Sequence, residues 1–296
     1  MPELPDIVVY IEALKSRVLD QPIEKIDIRN PFVLRTFSPP VATVQGRRVV
    51  ELRRLGKRII LGLDGDLFIV IHLMIAGRLR WRSPGTKPVG GKLTQAGFHF
   101  PMGVLFLTEA GSKHRASIHL VEGESNLQQF DRGGLEVLEA TLAEFTTRLR
   151  AENHTLKSAL TDPRLFSGIG NSYSDEILHR ARLSPLMLTS RIADDEIARL
   201  FDATRDTFTD WTDRLRAICG SEFPEEVTAF REGMAVHGRF GLPCPVCGTA
   251  VQRIRYADNE TNYCARCQTG GKLLADRALS RLLKSDWPKT VEELEG

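Results

Sequence analysis

The 296-residue chain contains no run of about 18 apolar residues, the length a membrane-spanning helix requires. Its opening also lacks the basic-then-apolar layout of a secretory leader, because Glu12 and Lys15 interrupt the first apolar stretch. A cytoplasmic protein is the expectation. Charge of one sign is missing too: 40 Lys and Arg face 38 Asp and Glu, a net +2 with a pI near 8.3. That excludes a uniformly basic chain, so a polyanionic partner has to be met by a local patch. Cysteine is scarce and odd in number, five residues with four of them between 244 and 267, which argues against a disulfide framework. There is no internal repeat and no low-complexity tract, so solenoids and disordered arrays are excluded as well.

What remains is ordinary globular composition, 42% apolar and 26% charged, in a chain long enough for two or more domains. Ile7, Ile11, Leu14 and Val18 have helical spacing and predict a helix over residues 6–19. From 22 to 122 the pattern becomes short apolar runs punctuated by Gly and Pro, with "LDGD" reading as a hairpin turn and 83–95 as a loop. Helical spacing returns in Leu135, Leu138, Leu142, Phe145 and Leu149. It appears again in Ile197, Leu200, Phe201, Thr204, Phe208, Trp211, Leu215 and Ile218. The expected fold is α+β and multidomain: an N-terminal helix with a β unit over 1–122, a helical domain over 130–235, a cysteine ribbon over 236–270 and a tail over 271–296.

The ribbon carries the sharpest chemistry. "CPVCGTAVQRIRYADNETNYCARC" holds Cys244 and Cys247, sixteen intervening residues, then Cys264 and Cys267. Two Cys-x2-Cys pairs flanking a hairpin can close a tetrahedron about one Zn2+, and four thiolates leave no open position, so the metal is expected to be structural. Cys219 stands apart and reads as a small buried hydrophobe. Between 231 and 284 nine Lys and Arg outnumber four acids, a local excess of five that suits a phosphate-facing module and equally suits a solvated surface. "SGIGNSYSDEIL" places two glycines and Asn171 at a helix entry, where backbone N–H groups can meet a phosphate, or where Asn171 serves as an ordinary N-cap. Lys157 and Arg164 flank that turn.

"PELP" at the start, "RLGKRIIL", "IHLMIAGRLR", "GIGNSYSDEIL" and "GRFGLPCPVCGT" running into the second Cys pair stand in an order that resembles the formamidopyrimidine-DNA glycosylase / endonuclease VIII family. The resemblance runs from Pro2 to about Gln268. It implies a β-sandwich N-terminal domain, a helix–two-turn–helix motif, a zinc finger and a bifunctional DNA glycosylase/AP lyase acting in base excision repair. Loss of Met1 would leave Pro2 as a terminal secondary amine, and such amines titrate near pH 8, about two units below lysine. By resemblance Pro2 attacks C1′ of a damaged nucleoside, Glu3 is the general acid/base, and Lys57 contacts phosphate and assists elimination. Lys157, Asn171, Tyr173, Arg253 and Asn259 are placed on DNA, and the partner is duplex DNA with damaged or abasic nucleotides, met by a monomer in a bacterial cytoplasm.

The chain also departs from the family. Asn259 stands where the finger has an arginine, leaving Arg253 or Arg255 as substitutes. "EAGSKHRAS" replaces the intercalating loop, with Lys113, His114 and Arg115 as candidates. Ile75, beside Met74, replaces a methionine wedge, and "CGSEFPEEV" replaces the lesion-capping stretch. A zinc-containing DNA-binding protein with weak or no lyase activity is the alternative expectation; a ribosome- or RNA-associated ribbon would leave the N-terminus unexplained.

Overall fold

The computed structural model describes residues 1–111, 113–256, 259–275, 281–282 and 288–295. Arg277, Lys284 and much of the expected tail lie outside these residues. The chain divides into two compact units, one of Met1–Arg132 with Trp211–Thr228, the other of Gly133–Asp210 with Ala229–Gly296. No helix among the described residues is long and apolar enough to cross a membrane.

In the first unit "PELPD" builds a helix start. Glu3 is extended at the N-cap, Pro5 falls in the first turn where its missing N–H is not needed, and the Glu3 N–H donates to Asp6 Oδ2 at 2.8 Å. Helix α1 therefore begins two residues earlier than apolar spacing implies, at Leu4–Val18, and buries Ile7, Ile11, Leu14 and Val18 as spaced. The strands are β1 (Lys25–Ile28), β2 (Val49–Leu55), β3 (Arg58–Leu63), β4 (Leu67–His72), β5 (Gly77–Arg82), β6 (Thr94–Phe100), β7 (Gly103–Glu109) and β8 (Ser117–Glu122). They form two antiparallel four-stranded sheets, ordered β1-β6-β7-β5 and β2-β3-β4-β8. The loop after β5 is shorter than 83–95, because Thr94 and Gln95 already belong to β6.

"RIILGLDGDLFIVIH" is nearly continuous in apolar residues because both faces of the β3–β4 hairpin are covered. Ile59, Leu61, Ile69 and Ile71 join α1 and the other sheet in the main core, while Ile60, Phe68 and Val70 pack outward against Leu127 and Phe130. "LDGD" makes the turn, with Gly65 and Asp66 at positive φ.

His72 ends β4 opposite Arg58 and Ser117. Burial first, then the charges of Arg58, Lys57 and His119, push its imidazole down to about 3. An unfolded histidine titrates near 6.5, so below that pH the unfolded chain takes up a proton that the folded chain refuses. Stability is fully present above about pH 6.5 and is lost as the pH falls toward about 3. His72→Gln, neutral throughout, is expected to flatten the acid limb of a Tm-versus-pH curve. An unchanged slope between about pH 6 and 4 would contradict this assignment.

In the second unit α2 (Leu142–Arg150) is capped reciprocally by Thr141 and Glu144. It takes only part of the first helical stripe. Phe145 and Leu149 are buried, Leu142 is largely exposed, and Leu135 pairs with Phe166 in an isolated bridge. Next come α3 (Leu156–Thr161), α4 (Asn171–Arg180), α5 (Asp194–Cys219), whose residues from Trp211 onward belong to the first unit, the hairpin β9 (Gln252–Tyr256) and β10 (Asn259–Tyr263), α6 (Ala265–Thr269) and α7 (Val291–Glu295). The α5 stripe is buried from Ile197 to Leu215, but Ile218 is 75% exposed. Cys219 is half-buried at the helix end rather than fully enclosed.

Candidate functional site

The first unit gathers charged groups around the chain start. Burial pulls the Met1 amine below its usual 8.0, after which Glu3 raises it, Arg78 lowers it, Asp6 raises it and Lys57 lowers it. Each of those groups is therefore near enough to act on that nitrogen. Glu3 is 1% exposed, and Pro2 is buried beside it. Lys57 follows Gly56 in the β2–β3 turn, where Gly56 takes φ +60° and its carbonyl accepts from Arg54 Nη1 at 2.7 Å. Burial lowers the Lys57 ammonium, and Glu3 opposes that shift. The Met1 amine, Glu3 and Lys57 thus lie within electrostatic reach of one another, with Pro2 between the first two in sequence.

Two loops of this unit are shaped by specific groups. Over 73–77 the Gly77 N–H donates to Leu73 O at 2.9 Å, and Arg78 Nη1 donates to Ile75 O at 3.1 Å and Gly77 O at 2.7 Å. A Cβ on Gly77 would lie 2.3 Å from Leu73 O, so the turn requires glycine. Met74 is held at φ +53° and Ile75 projects, 56% exposed. After β7 the buried Glu109 carboxylate accepts the Arg115 N–H at 2.8 Å and the Ala116 N–H at 3.0 Å, with His114 Nδ1 at 3.7 Å.

The stretch "CGSEFPEEV" returns to the sandwich. Arg17 Nη2 donates to Ser221 O at 2.9 Å, Phe223 lies 5.7 Å from the Tyr10 ring, and Glu225 Oε2 accepts from Arg82 at 2.9 Å and Arg80 at 3.1 Å.

The second unit places the glycine turn and the ribbon together. Gly168 has φ +80°, and the N-cap of α4 is Gly170 rather than Asn171. Asn171 is the first helical residue, and its Nδ2 donates to Glu260 O of β10 at 3.0 Å. Two residues expected on DNA lie inside. Lys157 is buried and its Nζ donates to Asn171 O at 2.7 Å, Ser174 Oγ at 2.8 Å and Asp175 Oδ1 at 2.5 Å. Tyr173 is buried with its ring edge-on to Phe208 at 5.9 Å.

Two acids went unrecognised in the sequence. Asp175, fully buried, also meets His237 Nδ1 at 2.8 Å and accepts the Asn262 N–H at 3.2 Å. Glu176 accepts the N–H groups of Ala235, Val236 and His237 at 2.7–2.9 Å. Burial raises its carboxyl, and those three donors oppose the rise.

The ligand atoms of Cys244, Cys247, Cys264 and Cys267 all lie within 4.8 Å of one another, with Cys244–Cys267 sulfurs at 3.9 Å and Cys247–Cys264 sulfurs at 3.4 Å. None is in a disulfide. Four thiols converging this closely fit one structural zinc ion. On the hairpin Asn259 is exposed opposite Tyr256, Arg255 is exposed, and Arg253 lies 4.1 Å over the Phe240 ring and 3.7 Å from Glu260.

Comparison with known proteins assigns each of these parts. Residues 1–111 match the formamidopyrimidine-DNA glycosylase N-terminal domain, 135–213 the H2TH domain of the same enzymes, and 241–270 a zinc finger found in FPG and IleRS. Sandwich, H2TH helices and zinc finger in one chain define a class, the zinc-finger DNA glycosylases. Among the relatives, the formamidopyrimidine-DNA glycosylase of Heliobacterium modesticaldum is 33% identical, over 90% of this chain and 100% of its own. That of Thermus thermophilus is 32% identical, over 92% and 100%. The chain belongs to the formamidopyrimidine-DNA glycosylase family, DNA glycosylase/AP lyases of base excision repair. The crystal structure of the MutM (Fpg) protein from Thermus thermophilus superposes with a TM-score of 0.75 at 29% identity, covering 90% of this chain and 98% of the other. The fold is shared too with Lactococcus lactis Fpg in complex with abasic-site DNA, TM-score 0.80 at 23% identity, over 90% and 99%.

Proposed function

We propose that this glycosylase works through Pro2 as nucleophile once Met1 is removed. The observation that carries the reading is the electrostatic proximity of the chain-start amine, Glu3 and Lys57, with Pro2 and Glu3 buried and Lys57 half-buried. The Pro2 nitrogen lone pair attacks C1′, the bond from C1′ to the base breaks, and the departing base takes a proton. The Pro2 nitrogen then loses its proton, the C1′–O4′ bond breaks and O4′ takes a proton, which opens the sugar ring and leaves an iminium. This electron sink acidifies C2′–H, and loss of that proton expels the 3′-phosphate and cuts the strand. Glu3 carries the protons between these steps, and Lys57 holds phosphate and aids elimination. The nucleotide has to leave the stack before C1′ is reachable, which gives Ile75 and the His114–Arg115 loop the task of filling the gap. Damaged duplex DNA is the substrate, bound by one chain in the bacterial cytoplasm.

Asn171 and the finger hairpin supply the phosphate contacts, while Lys157 and Tyr173 act from inside by fixing the first turn of α4. An abasic-site duplex with borohydride tests the reading: a covalent adduct is expected, and its absence at every pH between about 6 and 8 would leave a DNA-binding protein without lyase activity. In the hairpin, Asn259→Arg is expected to tighten DNA binding and steepen the log K versus log salt slope by about 0.9, the value of one phosphate contact. An unchanged slope would place residue 259 off the duplex.

A further inference from the structure

We propose that His179 is a partner of the zinc centre's sulfur, donating its Nε2–H to the Cys244 thiolate and so fastening helix α4 to the metal. His179 lies in the last turn of α4, is 6% exposed, and its Nε2 is 3.3 Å from Cys244 Sγ, 65 residues away in sequence. Four thiolates about a divalent cation carry a net charge of two minus. Such a buried cluster is stabilised by N–H donors aimed at its sulfurs, because each draws electron density from the thiolate and makes it a poorer proton acceptor and a poorer leaving ligand.

The ribbon supplies other donors, and Thr249 hydrogen-bonds Cys247 through both its backbone and its side chain. The Val246 N–H approaches Cys244 Sγ at 3.5 Å and the Cys267 N–H approaches Cys264 Sγ at 3.5 Å. His179 adds a donor from outside the ribbon, and from an element with another duty. The first residue of the same helix, Asn171, holds the backbone of β10 at 3.0 Å. Helix α4 therefore grips the finger at both ends, by a side-chain amide at the entry and an imidazole at the exit. An apolar ring at 179 would fill the same space and leave Cys244 without that donor.

The test uses the full chain loaded with zinc or with Co2+ as a spectroscopic stand-in. In chelator competition, His179→Phe and His179→Leu are expected to hold zinc about 10–100-fold more weakly than wild type. Their thiolate-to-cobalt charge-transfer band moves to lower energy, and Cys244 is alkylated faster. His179→Gln, which keeps an N–H donor, recovers most of the band position and affinity. The charge-transfer band reports the electron density on sulfur, which a role in packing alone does not move. Wild-type competition and an unshifted band in the Phe or Leu protein would overturn the assignment, and so would a Gln protein that falls as far as Leu.

Discussion

Pro2→Gly, with its initiator methionine removed, is expected to lose at least about 100-fold of the borohydride-trapped adduct, the order that one catalytic group contributes. The substitution keeps an amine at the chain start, so the expected loss has to come from its type. A secondary amine that bonds to C1′ gives an iminium with no proton to lose, and the cation persists at neutral pH. A primary amine gives an imine that is an electron sink only while protonated. Glycine also frees a backbone that the pyrrolidine ring restrains. The pH dependence follows from the protonation of the nitrogen. An ordinary chain-start amine titrates near 8 and is nucleophilic only when neutral, so adduct formation is expected to rise with pH between about 6 and 8. Undiminished trapping in Pro2→Gly, or wild-type trapping by protein whose intact mass still includes Met1, would remove Pro2 from the mechanism.

Asp175→Ala is expected to destabilise the second unit by about 3–5 kcal/mol, because it strands a buried ammonium. Lys157 loses its carboxylate partner at 2.5 Å, and His237 Nδ1 and the Asn262 N–H lose their acceptor at the same stroke. Lys157→Met is expected to cost less, since Asp175 then keeps two of its three partners. The double change Lys157→Met with Asp175→Leu removes both charges and recovers part of the loss, though His237 and Asn262 lose that acceptor. Denaturant unfolding of the three proteins provides the check. A Lys157→Met protein as unstable as Asp175→Ala would show that the carboxylate's other two partners contribute nothing.

Most of the architecture could be read from residue pattern. Short apolar runs and turn residues foretold a β unit, down to the "LDGD" hairpin, and two Cys-x2-Cys pairs foretold the metal site, because these signals are local; that the β unit is a sandwich was implied by the family resemblance. The first helix was legible in its stripe, whereas its start was not, since Pro5 and Asp6 act through backbone geometry rather than hydropathy. The stripe from Leu135 to Leu149 misled, because a bridge to Phe166 takes Leu135 out of any helix. The burial of Lys157 was not legible, for a different reason. Its charge suggests solvent and phosphate, and only the buried carboxylate of Asp175, eighteen residues away, explains why an ammonium can sit inside. Asp175, Glu176 and His179 fall within "SDEILH", a stretch that reads as a polar helix face. Their partners come from residues 235–237, 244 and 262, a convergence that spacing along one helix does not encode.

The sandwich is assembled from two distant portions of the gene product. Residues through Arg132 carry both sheets, yet the Tyr10 ring is met by Phe223, and Arg80 and Arg82 are met by Glu225. A nascent chain emerging from the ribosome therefore holds all its sandwich strands well before the segment that covers them, Trp211–Thr228, has been synthesised. Until that returning stretch arrives, Tyr10 lacks the Phe223 ring and the two arginines of β5 lack the Glu225 carboxylate.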